Sequence, residues 1–495
     1  MLTPVDIRTT FRTVGSIVRW FSLTLIVPVI VAAIYGEPTA PFWWTMAIGF
    51  AAGLALERLG PSRDIGLREG FLVVAIGWLA VAGVGALPYM FEGGDISGPL
   101  DAYFESMSGF TTTGSSVMAD ISSHGRGILF WRSFTQWLGG MGIIVLALAV
   151  LPRLSGGGRA LMERESPGPD FDKLVPRIRD TAARLWGLYV GISAIGIAAF
   201  WVAGVVGLEP KMGLYSSACH TFAAMATGGF SPEPRSFEAF GATAQWIAVA
   251  VMGAAGVNFA LWYRGLFRSR RAFLRDEELR VYLGLIVVSS AIFAVILLFE
   301  DRYGAADAIR HAVFQSVSTI TTTGYASADF AAWSAPALLL LLLLMFPGSC
   351  SGSTGGAIKI VRAQLAVRVM RREVRTAAHP DLVEPIRISG RPVDERAVRA
   401  VIGFVLLYIV VFIVGAILLA SDAAARGLPV SVEEALAASA TAIGNVGPGF
   451  GASGPMGSFA DFGPPGKTVM IWLMWTGRLE LLPALVLVSR SFWLR

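Results

Sequence analysis

Apolar residues in this chain run in long blocks and do not alternate with polar ones. Residues 71–90 (FLVVAIGWLAVAGVGALPYM) carry no charge, and an apolar run of about 18 residues or more is what a membrane-crossing helix requires. The glycines inside it, Gly77, Gly83 and Gly85, are ordinary in such helices. Taken block by block, the sequence predicts about ten spans of roughly 20 residues each. They lie at residues 14–35, 41–57, 70–90, 128–151, 182–206, 243–267, 279–299, 335–345 with a broken continuation, 398–420 and 468–488. The first block is expected to remain as a span. No small-residue cleavage site follows it, and another apolar block comes straight after.

Composition sharpens the class. Hydrophobic residues make up 54% and charged residues 15% of the chain, with a mean hydropathy of +0.63; a soluble chain of this length needs far more polar surface to cover itself. Only Cys219 and Cys350 are present, so a disulfide framework is not expected.

The formal charge of +5 would suit an acidic partner such as nucleic acid, but its distribution points to topology. About 31 of the 40 Lys and Arg fall on alternate loops, the pattern of the positive-inside rule. The basic set is Arg8, Arg12 and Arg19; Arg58, Arg63 and Arg68; the stretches 153–184, 264–280 and 359–399; and Arg490 with Arg495. The intervening loops carry Glu92, Asp95, Asp101, Glu209, Glu300, Asp307, Glu433 and Glu434. Ten spans with both termini cytoplasmic, in the cell's inner membrane, satisfy every loop. No nucleic acid is expected as a partner.

Four of the outside loops are too long and too apolar to be plain connectors, and they share a pattern. They are residues 104–114 (FESMSGFTTTG), 218–228 (ACHTFAAMATG), 314–324 (FQSVSTITTTG) and 437–447 (AASATAIGNVG). Each is a short helix-like run of small and apolar residues closing on a glycine, with Ser106, His220, Ser316 or Ser439 eight positions earlier. The recurrence suggests four fused units of one supersecondary type, each reading span, half-length helix, glycine turn, span. A half-length helix cannot cross a bilayer, and irregular backbone after it is tolerated only in protein or beside a water-filled cavity. Four such elements about a pseudo-fourfold axis would bring four turns to one narrow point, where carbonyls can replace a cation's hydration shell. Glycine permits the backbone angles that aim those carbonyls inward, and the helices' C-terminal ends add negative dipole ends. One Thr-Thr-Thr-Gly could be no more than a turn after an interfacial helix; four on the same side argue for more.

At these loops the sequence resembles the Trk/Ktr/HKT superfamily of potassium transporters, most closely the bacterial TrkH type. The resemblance covers nearly the whole chain. It includes QWLGGMGI at 136–143, Pro167-Gly-Pro169 with Pro176-Arg-Ile178, GSCSGSTGG at 348–356 with Lys359, and GRLE at 477–480. It implies an all-α polytopic membrane protein: four fused helix–pore-helix–helix units around a pseudo-fourfold pore, at 70–181, 182–278, 279–397 and 398–495, after two extra N-terminal spanning helices at 1–69. Potassium would be both substrate and bound metal, coordinated by backbone around Thr112, Thr113 and Gly114; Ala226, Thr227 and Gly228; Thr322, Thr323 and Gly324; and Asn445, Val446 and Gly447. All four positions keep the glycine that the family associates with preference for potassium over sodium. The turns differ, and none repeats the longer potassium-channel signature, so fewer coordination sites and looser selectivity are expected. The resemblance further implies a homodimer, a cytoplasmic nucleotide-binding regulatory ring that the basic stretches could seat, and no cofactor bound by this chain.

The eighth block is interrupted by PGSCSGSTGG at 347–356, which should loop inside the membrane beneath the filter; a plain helix break at the cytoplasmic surface is the alternative. Similar loops in the family obstruct the pore and move when it opens, so Gly348, Gly352, Gly355, Gly356 and Lys359 are the expected gating residues. Ser349 and Ala357 stand where relatives often have glycine and would stiffen the loop. Arg478 falls about mid-span, where a charge costs a few kcal/mol and is functional by default; by resemblance it projects into the pore and holds the loop. The alternative is a structural ion pair with a neighbouring helix. Glu480, two residues on, should face another side of the helix.

Other chemistries fit less well. GSTGGAIK at 352–359 faintly resembles a phosphate-binding loop but lacks the Gly-Lys-Ser/Thr ending. His220 has no clustered partner for a metal and is expected to pack the pore helix. The acidic residues near the short helices' starts, Asp101, Glu105, Asp307, Glu433 and Glu434, would either stabilise helix N-termini or concentrate cations. No catalytic cluster points to an enzyme, and a scaffold would not need four filter-like turns. Within transport, coupling to sodium or protons is the second possibility, although no acidic relay within the spans compels it.

Overall fold

A computed structural model describes residues 6–61, 66–149, 178–381 and 384–493. The motif residues Pro167, Gly168, Pro169, Pro176 and Arg177 lie outside them, as do Arg63 and the basic residues at 153–177. The described residues are mostly helical; their only strands are the two-residue pair Arg387–Ile388 (β1) and Arg391–Pro392 (β2).

The chain opens with α1 (Ile7–Ser22), a 3-10 turn, α2 (Ile26–Ile34) and α3 (Ala40–Glu57). Asp6 caps α1 by accepting from the Thr9 amide at 3.1 Å, which starts the helix a turn and more ahead of the apolar block. Glycine sets how closely α1 and α3 cross. An added Cβ on Gly15 would sit 2.7 Å from the Gly53 carbonyl, and one on Gly53 would sit 2.6 Å from the Arg19 amide. Helices lacking side chains at the crossing approach on their backbones, as membrane helices commonly do. Arg19 and Glu57 close the same contact with an ion pair at 3.0 Å.

A helix, short helix, turn, helix arrangement then recurs four times. The elements are α4 (Leu67–Glu92), α5 (Pro99–Phe110) and α6 (Arg126–Ala149); α7 (Ile178–Val205), α8 (Leu214–Met225), α9 (Ala242–Ala255) and α10 (Phe259–Phe267); a short α11 (Arg271–Arg275), α12 (Glu277–Phe299), α13 (Ala305–Ile320), α14 (Ala335–Leu344) and α15 (Ile360–Ala378); and α16 (Glu395–Ala425), α17 (Val432–Gly444), α18 (Pro464–Arg478), α19 (Leu482–Val488) and α20 (Arg490–Trp493). The short helices α5, α8, α13 and α17 have 12, 12, 16 and 13 residues. At 1.5 Å per residue they fall short of a hydrocarbon core of about 30 Å. Their bodies are buried among the long helices, whose outer faces are apolar: α12 turns Val287, Val288, Ile292 and Val295 outward. Such a face suits lipid. This is an all-α polytopic membrane fold.

Five described helices are long and apolar enough to cross a membrane: Ile7–Ile34, Arg68–Glu92, Thr181–Val205, Glu277–Phe299 and Glu395–Ala425. They supply the first span and the opening helix of each unit. The closing helices are more polar or broken, because they face protein. Two expected spans need correction there. The block 243–267 is not one helix: α9 and α10 meet at 96°. Asn258 caps α10 through the amides of Ala260 (2.7 Å) and Leu261 (3.2 Å), and the freed Gly256 carbonyl accepts from the Cys350 amide at 3.0 Å. The block 468–488 also breaks. Helix α18 ends at Arg478, and Glu480 and Leu481 take left-handed angles of φ 55° and 58° before α19. Arg478 is therefore at a helix C-terminus in the middle of that block, and Glu480 is in no helix.

Candidate ion pathway

All four short helices end in the same way. The amides of Thr113, Gly228, Thr323 and Val446 donate to carbonyls five residues back, on Ser108, Ala223, Ser318 and Thr441, at 2.8–2.9 Å. The preceding residues Thr112, Thr227, Thr322 and Asn445 are left-handed, with φ of 51°, 52°, 60° and 53°. This is the Schellman ending, whose left-handed position is normally glycine or asparagine. Three of the four carry threonine, which is strained there; only surroundings that over-determine the turn hold it.

Two residues further on come left-handed glycines: Gly114, Gly229, Gly324 and Gly447, with φ of 87°, 81°, 77° and 119°. They meet in a ring. A Cβ added to Gly114 would overlap the Gly228 carbonyl oxygen; on Gly229, that of Thr323; on Gly324, that of Val446; on Gly447 it would lie 2.9 Å from that of Thr113. Each glycine abuts the carbonyl just ahead of the glycine in the next turn, and the fourth returns to the first. The backbones of Thr112–Gly114, Thr322–Gly324 and Asn445–Gly447 are thus brought together where the sequence placed them. The second turn is shifted by one residue: Gly229, not Gly228, is the counterpart of Gly114, and Ala226 stands outside the turn proper, capping α8 with ordinary helical angles. Counting to the first glycine misaligned it; the hydrogen-bond pattern aligns it.

Side chains brace the ring from behind. Thr111 and Thr113 share a hydroxyl hydrogen bond of 2.7 Å, and Thr321 with Thr323 repeats it. Asn445 Nδ2 donates to Thr113 Oγ1 and to the Met474 carbonyl, both at 2.9 Å. Ser115 Oγ donates to the Gly447 carbonyl at 2.7 Å, and Gln136 grips the second turn. Glu105, expected to face the mouth or a helix end, is fully buried, and Arg132 Nε donates to it at 2.8 Å. The Arg132 guanidinium also lies 4.0 Å from the centre of the Phe230 ring, fastening the exits of the first two turns. The sequence offered one signal for Arg132, a charge inside an apolar block. His220 packs as expected, bonded to the Ser216 carbonyl (2.8 Å) and Ser231 Oγ (3.0 Å) among Phe237, Phe240 and Tyr325.

At the outer rim Lys467 pairs with Asp101 at 2.6 Å, Arg310 with Asp307 at 2.6 Å, and Glu434 closes a capping box with Ser431. His124 sits between Glu92 and Asp95, 2.8 Å from each. The hydrogen bond with Glu92 foremost, together with both carboxylate charges, raises its pKa against the opposing effect of burial. Burial pushes the Asp95 carboxyl up, but hydrogen bonds from the Ala119 amide, His124 and the Asp120 amide together hold it below the usual range.

Beneath the ring, residues 346–359 form a non-helical loop between α14 and α15. Gly348 and Gly352 are left-handed, both with φ 70°, and so, against their own sterics, are Ala357 (59°) and Lys359 (77°). Thr354 Oγ1 reaches the Met225 carbonyl at 3.0 Å, and the Gly356 amide donates to Thr322 Oγ1 at 2.8 Å. A Cβ on Gly355 would come 2.9 Å from the Thr321 carbonyl, and one on Gly356 3.1 Å from Asn445 Cβ. Lys359 Nζ donates to the Gly355 carbonyl, Arg478 Nη1 donates to that of Thr354 at 2.8 Å, and Arg362 pairs with Glu480. The six residues singled out from the sequence therefore meet in one loop and its two clamps. No carboxylate bonds Arg478 among the described residues; backbone oxygen does.

A family model described as TrkH, cation transport protein, matches residues 39–493. The chain is 37% identical over 491 residues to the Trk system potassium uptake protein TrkH of Escherichia coli strain K12, covering 97% of this chain and 98% of that protein. It is 34% identical over 492 residues to the Trk system potassium uptake protein TrkG of the same strain, covering 97% of each. The crystal structure of the potassium transporter TrkH from Vibrio parahaemolyticus superimposes with a TM-score of 0.88 at 32% identity, over 99% of this chain and 100% of that one.

Proposed function

The chain belongs to the TrkH family of cation transport proteins, and from that premise we propose that it carries potassium across the cytoplasmic membrane through the ring of four turns. The observation that carries this is the cyclic contact of each left-handed glycine with the next turn's carbonyl. Carbonyls held so can replace potassium's hydration shell, and the short helices aim their negative ends at the same point. The proposed ligands are the backbones of residues 112–114, 227–229, 322–324 and 445–447, one unit contributing each at 70–181, 182–278, 279–397 and 398–495. Conduction is channel-like, down the electrochemical gradient.

The loop at 346–359 is the gate in this scheme, with Lys359 and Arg478 as its clamps. Both termini are cytoplasmic, which puts the basic stretch 359–399 where a nucleotide-binding regulatory ring would act on α15 and the loop. The transporter works as a homodimer. The test is potassium and sodium flux into liposomes holding the purified protein, wild type and Gly324→Ser. Potassium-preferring flux whose preference falls in the variant supports the ring. No cation flux, with or without a cytoplasmic partner, ends it.

A further inference from the structure

We infer that Gln136 stands in for a side chain the second turn lacks, and is a positioning residue on which the ion preference of the whole ring depends. This rests on the ring being the filter. At the ring-carbonyl position three turns carry a side chain, Thr113, Thr323 and Val446, and the second carries Gly228. The two threonines anchor themselves to the threonine two residues back. Gly228 has no means of doing so.

The empty place is filled from α6. A Cβ on Gly228 would land on the carboxamide of Gln136, 2.6 Å from Oε1 and 2.8 Å from Nε2. That carboxamide is fully buried. Its Nε2 donates to the Gly228 carbonyl at 2.7 Å, and its Oε1 accepts from the Phe230 amide at 3.0 Å. The two bonds bracket Gly229, the left-handed glycine of this turn. Only one orientation of the carboxamide satisfies both, so its donor faces the carbonyl that abuts Gly114.

The fourth unit shows what this place holds without such a task. Gln136 lies three residues ahead of Gly139, where a Cβ would overlap the Phe110 carbonyl; Met474 lies three ahead of Gly477, where a Cβ would overlap that of Ile443. Phe110 and Ile443 each stand two residues before the left-handed Schellman position, so the two places correspond. The carboxamide thus stands beside the one turn that has no side chain at the ring-carbonyl position. A carbonyl held from behind keeps its distance from the ion; released, it can close on a smaller one, and sodium gains.

The experiment uses the full-length protein in liposomes and the ratio of initial potassium to sodium uptake. It compares wild type, Gln136→Ala, Gln136→Ala with Gly228→Thr, and Gly324→Ser. The single alanine is expected to lower the ratio about fivefold, the size of one lost hydrogen bond. The added threonine should recover most of it, by anchoring the turn as Thr113 and Thr323 do. Should Gln136→Ala fail to insert, the near-isosteric Gln136→Met decides on the same ratio, since its thioether fills the place but has no donor for the Gly228 carbonyl. A wild-type ratio in the Gln136 variant while Gly324→Ser loses preference overturns the role of Gln136 alone. A wild-type ratio in both overturns the filter as well.

Discussion

Alanine at Gly324 should weaken the potassium preference about tenfold while the protein still inserts. Its φ of 77° costs an L-residue roughly 1–2 kcal/mol. The added methyl would overlap the Val446 carbonyl oxygen and lie 2.8 Å from Pro448 Cδ and 3.0 Å from the Val446 carbonyl carbon. None of these is the free end of a flexible side chain, so relief must come from moving a ring carbonyl. If about 1.4 kcal/mol of that displacement appears as a difference between the two bound ions, the flux ratio changes tenfold. The control is Gly284→Ala in α12, where a Cβ meets nothing within 4 Å and the ratio should not change. Both are read as initial potassium and sodium uptake into liposomes at matched protein density. A Gly324→Ala protein that conducts with the wild-type ratio would refute the carbonyl ring as the seat of selectivity.

Four further outcomes are expected. Arg132→Gln strands the buried Glu105 carboxylate and should destabilise the protein by about 3–5 kcal/mol, seen as a lowered thermal midpoint in detergent; Arg132→Gln with Glu105→Gln should recover most of it. The pKa of His124 is raised in the folded state, so its contribution is complete below about pH 6.5 and is lost as pH rises through the raised value; the midpoint should fall on the alkaline side, and His124→Asn should flatten that fall. Ala357→Gly removes a left-handed alanine from the loop, which should stabilise this arrangement by about 1 kcal/mol and lower basal potassium flux. Arg478→Gln removes the clamp on the Thr354 carbonyl and should raise basal flux several-fold; unchanged flux would count against the loop as gate.

The spans and the four units were legible in the sequence because lipid and period leave marks that no partner is needed to interpret. What was not legible depended on partners distant in the chain. Asn258 shows as one polar letter inside an apolar block; the bend it caps is closed by residues far along the chain, the Cys350 amide on the Gly256 carbonyl and the Phe259 amide on that of Gly352. Two consecutive glycines at 228 and 229 offer counting no choice between them, whereas the amide of Gly228 donating to Ala223 chooses. Arg132 shows as a charge in an apolar block, but Glu105, which makes it tolerable, is 27 residues away. Gln136 shows as one polar letter in a glycine-rich motif, and its use is defined by a side chain missing 92 residues later.

The loop and a conducted ion contend for the same electrostatic place. The C-terminal ends of the short helices carry partial negative charge, and in this arrangement the loop is set against three of them. Thr354 Oγ1 is on the last carbonyl of α8, Gly356 reaches Thr322 just past α13, and a Cβ on Gly356 would overlap the carbonyl of Gly444, the last residue of α17. Two cationic side chains, Lys359 and Arg478, hold the loop there through its own carbonyls. The field that would stabilise potassium below the ring is therefore partly answered by hydroxyl, amide and fixed positive charge. Opening must free those ends, and an ion arriving from the ring gains what the loop gives up. On this proposal, clamp and cargo are coupled through the helix ends without any contact between them. The increase in flux from Arg478→Gln should then be largest at low potassium, where the ion competes least with the loop, and equal increases at all potassium concentrations would show that the coupling is absent.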